Sequence, residues 1–186
     1  MIDRVLDAIA KEINNFLKSK HGITDDKLIM SNLVNADGSM AVQEVDRIVM
    51  TLAGIDQERS QSNVSTYQPT ARGSFVKKRP AVNINLYIIY SAYFTAENYE
   101  EGLKFISSVI AFFQSRGGTM SRENTPGLTE IIDKVTMELI PLEFREISNV
   151  WSALGAKYLP SVVYRLRTLP IEHVAPSPEI PSINKI

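Results

Sequence analysis

The sequence predicts a single α+β domain in which a mostly antiparallel or mixed sheet carries packed helices. Three observations predict it. Apolar residues recur at helical spacing in three separated segments, and strand-like runs fill the intervals. The order along the chain is helix, two strands, a long strand, helix, strand, helix, strand, without internal repeats. At 186 residues with 44% apolar and 22% charged side chains, one domain has enough material for a proper core.

Ile2, Val5, Leu6, Ile9, Ile13, Phe16 and Leu17 recur three or four apart, while Asp3, Arg4, Asp7, Lys11, Glu12 and Lys18 take the other face. That spacing predicts an amphipathic helix covering a core. Its polar face mixes signs, which argues against a membrane-surface helix. Gly22, after His21, is placed to end it with a left-handed cap. Leu28 to Val34 reads as a short strand and Asn35-Ala36-Asp37-Gly38 as a turn. Val45 to Gly54 reads as the second strand, with Asp46 and Arg47 at its start.

From about Gln57 to Pro80 the chain turns polar and is punctuated by Pro69, Gly73 and Pro80. A loop this long in a compact domain is usually functional. It closes on the basic triplet Lys77-Lys78-Arg79, read either as a solvated tip or as docking onto an acidic partner surface.

Val82, Ile84, Leu86, Ile88 and Tyr90 alternate with Asn83, Asn85, Tyr87, Ile89 and Ser91. One face of this long strand is polar at its start, and both faces are apolar later. Such a strand is central, flanked by helices or by a neighbouring subunit. Thr95 and Asn98 are candidate caps for the helix that follows, whose stripe is Tyr99, Leu103, Ile106, Val109, Ile110 and Phe113. Phe105 and Phe112 widen the stripe beyond one face, which makes them candidates for contact with a neighbouring subunit. Arg116-Gly117-Gly118 stops the helix.

Ser121 to Leu128 is rich in turn residues, and Ile131 to Leu142 reads as a strand with one buried and one wet face. Pro141 fits only a strand end or edge. Phe144, Ile147, Val150, Trp151 and Leu154 form one helical stripe closed by Gly155. Pro160 then introduces a strand from Ser161 to Arg167, on which Val162, Tyr164 and Leu166 oppose Val163, Arg165 and Arg167. Arg165 and Arg167 share a face and are candidates for pairing with acids of a neighbouring subunit. Thr168 to Ile186 carries Pro170, Pro176, Pro178 and Pro181, so it reads as an extended tail. The expected division is a domain over residues 1–168, including the loop 57–80, and a Pro-rich tail over 169–186.

Little chemistry is written into this pattern. The net charge of −1 supplies no basic field for nucleic acid, and Tyr67 and Phe75 beside the basic triplet make a thin stacking platform. There are no cysteines, so disulfides and thiolate chemistry are excluded. A metal would rest on His21, His173 and carboxylates, and neither histidine has motif-spaced partners. Gly117-Gly118 lacks the spacing of a phosphate loop, and Ser60, Ser62 and Ser65 have no base nearby in sequence. Asp25-Asp26, Asp56 with Glu58, and Glu100-Glu101 read as solvated pairs. The expectation is no catalytic residue, no metal and no cofactor. The N-terminus lacks a signal-peptide core, and the longest mostly apolar run, Leu86 to Phe94, is far short of the roughly 20 residues that span a bilayer. A cytoplasmic chain is expected.

The only tryptophan lies in the segment Asn149-Val150-Trp151-Ser152-Ala153-Leu154-Gly155-Ala156-Lys157-Tyr158-Leu159-Pro160-Ser161-Val162-Val163-Tyr164. This segment, the opening Met1-Ile2-Asp3-Arg4-Val5-Leu6, the strand Val82 to Tyr90, and the helix through Tyr99, Leu103 and Phe113 together resemble the cap, or tail-terminator, proteins of extracellular contractile injection systems. Antifeeding prophages and Photorhabdus virulence cassettes carry such caps. The resemblance runs over almost the whole chain. It implies a fold similar to phage tail terminators and a hexameric ring that closes the distal end of the inner tube and sheath. The implied partners are other copies of the chain, sheath and tube subunits, and a paralogous cap protein. Neither nucleic acid nor cofactor is implied, membrane contact is left open, and there is no turnover. The loop 57–80 and the tail are placed to order on assembly. Two other readings stand beside it: a different adaptor of the same particle, at tube, sheath or baseplate level, and an unrelated soluble binding module.

Overall fold

The computed structural model describes residues 1–58, 67–69, 75–77, 82–125, 127–128, 132–171 and 179–180. Helix α1 spans Ile2–His21 and ends at Gly22, whose φ of 65° is left-handed and whose N–H bonds the Lys18 carbonyl. Strand β1 is Leu28–Met30, shorter than its sequence suggests, and β2 is Arg47–Gln57. β3 (Tyr67–Pro69) and β4 (Phe75–Lys77) follow, then β5 (Val82–Tyr93). α2 is Tyr99–Ser115, β6 Thr119–Ser121, β7 Lys134–Leu139, α3 Phe144–Leu154, β8 Ser161–Ile171 and β9 Glu179–Ile180.

β1, β2, β5, β8, β7 and β6 form one mixed sheet in that order, with β1 parallel to β2 and every other pair antiparallel. The period-two pattern of the strands decides its two faces. Ile48, Met50, Leu86, Ile88, Tyr90, Leu166 and Met137 point to one side and pack with α1 and α2 in the main core. Val49, Ile89 and Val163 point to the other side, where Trp151 of α3 joins Leu33 and Val42 in a smaller cluster. The long strand β5 is therefore central and covered on both faces, as its double apolar pattern requires.

Several details depart from the sequence reading. The stretch 57–80 is not loop throughout. β3 and β4 pair antiparallel, and β9, from the Pro-rich tail, pairs with β4 to make a second, three-stranded sheet. β8 runs past Arg167 to Ile171 and includes Pro170, which lies opposite Asn83 of β5. A proline is tolerated there because β7 reaches only as far as Arg167, so no described strand flanks β8 on that side at Pro170. β6 was not legible: three residues, Thr119–Ser121, pair with β7 directly after the glycine turn. Thr95 and Asn98 do not cap α2 with their side chains. The Thr95 N–H (3.1 Å) and the Asn98 side-chain amide (2.8 Å) both donate to the Asp46 carboxylate, tying the start of β2 to the start of α2. Asp46 sits at φ 62°, a left-handed conformation that short polar side chains tolerate.

Candidate interaction surface

Among the described residues no cluster of His, Asp or Glu is arranged to hold a metal, and no helix is long and apolar enough to cross a membrane. His21 is part of the packing: its Nε2 lies 2.9 Å from Ser108 Oγ and its ring tilts against Phe105 at 4.8 Å. His173 lies outside the described residues.

The aromatic pair proposed from sequence as neighbour-facing is internal. Phe105 is 2% exposed and Phe112 fully buried. Phe105 meets Phe94 and His21, and Phe112 meets Phe16, Phe113 and the Arg116 guanidinium. The stripe is wide because α2 is wedged between the sheet and α1, so two of its faces need apolar cover. The basic triplet is only partly in view. Lys77 ends β4, and its side chain, with Lys78 and Arg79, lies outside the described residues.

Arg165 and Arg167 do find an acid, but within their own chain. Glu138, on the adjacent strand β7, accepts from Arg165 at 2.6 Å and 3.3 Å through one oxygen and from Arg167 at 2.9 Å through the other. Glu58 approaches Arg167 at 3.6 Å, and Asn85 donates to Glu58 at 3.2 Å. These hydrogen bonds, Arg165's first, hold the Glu138 carboxyl below the usual carboxylate range and raise both guanidinium groups. The register makes the pair: Arg165 lies directly opposite Glu138, and sequence alone does not show which strands are neighbours. The cluster covers the half of the sheet face that α3 leaves open.

α3 itself is lightly docked. Glu146 accepts from the Glu143 N–H at 2.8 Å to start the helix, and Gly155 at φ 67° ends it. Between them only Trp151 is buried, while Ile147, Val150 and Leu154 are half-covered. Phe144, expected on the inner stripe, is 88% exposed. It is the first helical residue, one turn before Ile147, where contact with the sheet begins. Between α3 and the sheet runs an apolar groove made of two adjoining hollows of about 150 and 300 Å³, which share Ile140, Leu142, Val150 and Val163. One end is floored by Ala53, Gly54 and Tyr87, and Leu139, 50% exposed, stands beside the other. No charged side chain lines either hollow. Largely apolar walls without converging charged groups suit a docked side chain better than a reacting substrate.

The site is an apolar groove beside a charged sheet face, on a sheet that carries helices on both sides. A family model, the Pvc16 N-terminal domain, matches residues 4–185. The chain belongs to the Pvc16 N-terminal domain family. Among curated proteins no sequence matches. Two solved structures share the fold over the whole of this chain. The sheath/tube terminator of the PVC extracellular contractile injection system, in its extended state, aligns with a TM-score of 0.66 at 13% identity. The tube-terminating cap of the anti-feeding prophage aligns with a TM-score of 0.63 at 15% identity. The chain spans 61% and 60% of their respective lengths. Identity this low shows a shared fold alone, so the roles of surface residues must be argued from this chain's own geometry.

Proposed function

We propose that this Pvc16 N-terminal domain protein is the terminator cap of a contractile injection system. Copies of it form a hexameric ring on the end of the inner tube and sheath, stop their polymerisation and hold the sheath extended. The carrying observation is the fold: all of the chain aligns with two terminators of such particles. The surface supports the same reading. A head-to-tail ring needs two different patches per subunit. The apolar end of α3 around Phe144 and Leu139 offers one, and the half-exposed Arg165–Glu138–Arg167 face offers another, where the arginines can exchange part of their pairing for acids of a neighbour. The basic triplet Lys77-Lys78-Arg79 is proposed to dock on an acidic tube or sheath surface. The protein works by geometry alone, with no turnover and no cofactor, and assembles in the cytoplasm, with a paralogous cap as a possible ring partner.

The test is particle length. Deleting the gene gives tubes and sheaths of uncontrolled length without a density at the end opposite the baseplate, and restoring it returns one length. Particles that keep their length and end density without the protein, or gold labelling found at the baseplate, would overturn the cap reading in favour of another adaptor position.

A further inference from the structure

Read from sequence, the stretch 57–80 and the Pro-rich tail are two independent segments; the fold joins them. β4 has β3 on one side and β9, from the tail, on the other: Phe75 lies opposite Ile180 and Val76 opposite Glu179. Among the described residues these three strands pair only with one another. A two-stranded hairpin is marginal by itself in water, and a third strand is what steadies it. With strands of three residues each, β3 and β4 depend on that third strand.

The two segments also leave the main sheet side by side. β2 ends at Gln57, opposite Ile84 of β5; β5 begins at Val82, opposite Ile171, where β8 ends. β2, β5 and β8 are neighbours, so the chain enters the hairpin, leaves it and starts the tail at one end of the sheet. Glu58 ties the three strands together there. Its N–H donates to the Asn83 carbonyl at 2.9 Å, its carboxylate accepts from the Asn85 amide at 3.2 Å, and the Arg167 guanidinium lies 3.6 Å away. The Glu58 side chain is only 14% exposed, so salt screens these contacts less than it screens a surface pair.

We propose that the tail is a strap: β9 holds the hairpin β3–β4 in one arrangement, and Glu58 is the positioning residue that anchors the strands from which hairpin and tail spring. Hairpin and strap then form one preformed appendage, and a surface that binds it is spared the entropy of ordering it. β4 ends at Lys77, so the strap also sets where the chain enters the basic triplet. That last step rests on the docking of the triplet proposed above; the strap itself rests on the pairing of β4 with β9.

Amide hydrogen exchange on the full chain and on a variant ending at Ile171 tests the strap without ring or tube. Removing the tail speeds exchange at 67–69 and 75–77 about tenfold and leaves α1 and the buried half of β5 unchanged. Glu58→Ala speeds the same amides about threefold. The chain has no cysteine, so Phe75→Cys with Ile180→Cys places one opposed pair within reach of a disulfide. It closes within one chain on oxidation and keeps the hairpin protected. Hairpin exchange that ignores removal of the tail, or a disulfide that forms only between chains, overturns the strap; hairpin exchange that ignores Glu58→Ala overturns the anchor. Binding to poly-glutamate separates the strap from the docking of the triplet. Lys77→Ala with Lys78→Ala and Arg79→Ala abolishes it, and loss of the tail weakens it about threefold. If the full chain does not bind, the docking reading fails and the exchange result alone decides the strap. If the full and tail-less chains bind equally, the strap plays no part in presenting the triplet.

Discussion

At the scale of single residues, the most informative side chain is Asn14, because it does a strand's work from inside a helix. Its amide donates to the Leu28 carbonyl at 2.8 Å, and its carbonyl accepts from the Leu28 N–H at 2.9 Å, which pins β1 to α1. It is buried, so losing either bond strands a backbone group without water. Asn14→Leu therefore destabilises the fold by about 1–3 kcal/mol, although leucine suits a buried helix face. Urea unfolding measures it, and an unchanged midpoint would show that water replaces the amide. Trp151→Ala removes the one buried side chain of α3 and costs about 3–5 kcal/mol, read from the same experiment. Asp46 gives a pH dependence. The Thr95 N–H and the Asn98 amide hold its carboxyl below the ordinary value. A carboxyl depressed in the folded state adds stability above the unfolded pKa of about 3.9 and loses it as pH falls through the folded value. Asp46→Asn keeps the left-handed conformation but flattens this acid limb of the stability curve.

At the scale of elements, Gly118 decides how α2 hands over to the sheet. Its φ is 68°, its carbonyl accepts from the Met137 N–H at 2.7 Å, and a Cβ would lie 2.6 Å from the Met137 carbonyl oxygen. Gly118→Ala combines left-handed strain of about 1–2 kcal/mol with a backbone clash, and it separates β6 from β7. Its signature is an early loss of exchange protection at Thr119–Ser121 before global unfolding. α3 is held mainly by Trp151 and the half-buried Ile147, Val150 and Leu154, whereas β5 is enclosed on both faces. Native-state hydrogen exchange should therefore open α3 at lower free energy than β5 and β8. Equal protection in α3 and β5 would mean that the helix unfolds only with the whole domain.

At the scale of the whole molecule, the fold is a central sheet with one face covered by two helices over most of its area and one face covered only in part. α1 and α2 seal the first with Val5, Ile9, Ile13, Val109 and Phe112. The second keeps a groove, an exposed Phe144 and a charged patch. This asymmetry fits the ring proposed above, in which the covered face would supply stability and the open face would meet neighbours. Tyr90 shows how tightly the sealed face is packed. It is fully buried between Phe113 and Tyr164, burial pushes its pKa far up, and its hydroxyl has no hydrogen-bond partner among the described residues. Tyr90→Phe should be neutral or stabilising, because it removes a buried polar atom without leaving a hole.

The three helices, the central strand β5 and the Trp151 cluster were legible in the sequence because local periodicity encodes them: spacing near 3.6 for α1–α3, alternation for β5, and Gly22 and Gly155 at helix ends. The likeness to a terminator followed from the same segments. Everything that depends on which strands meet was decided by tertiary structure. Glu138 lies opposite Arg165 only because β7 pairs with β8, Asp46 meets Thr95 and Asn98 because β2 pairs with β5, and β9 joins β4 from more than 100 residues away. Phe105 and Phe112 are core residues because α1 covers the second face of α2, and Phe144 is exposed because α3 touches the sheet only from Ile147 onward. Periodicity tells a residue which face of its own element it occupies. It carries no information about what packs on that face, since register and layer order are set by contacts between segments far apart in the chain.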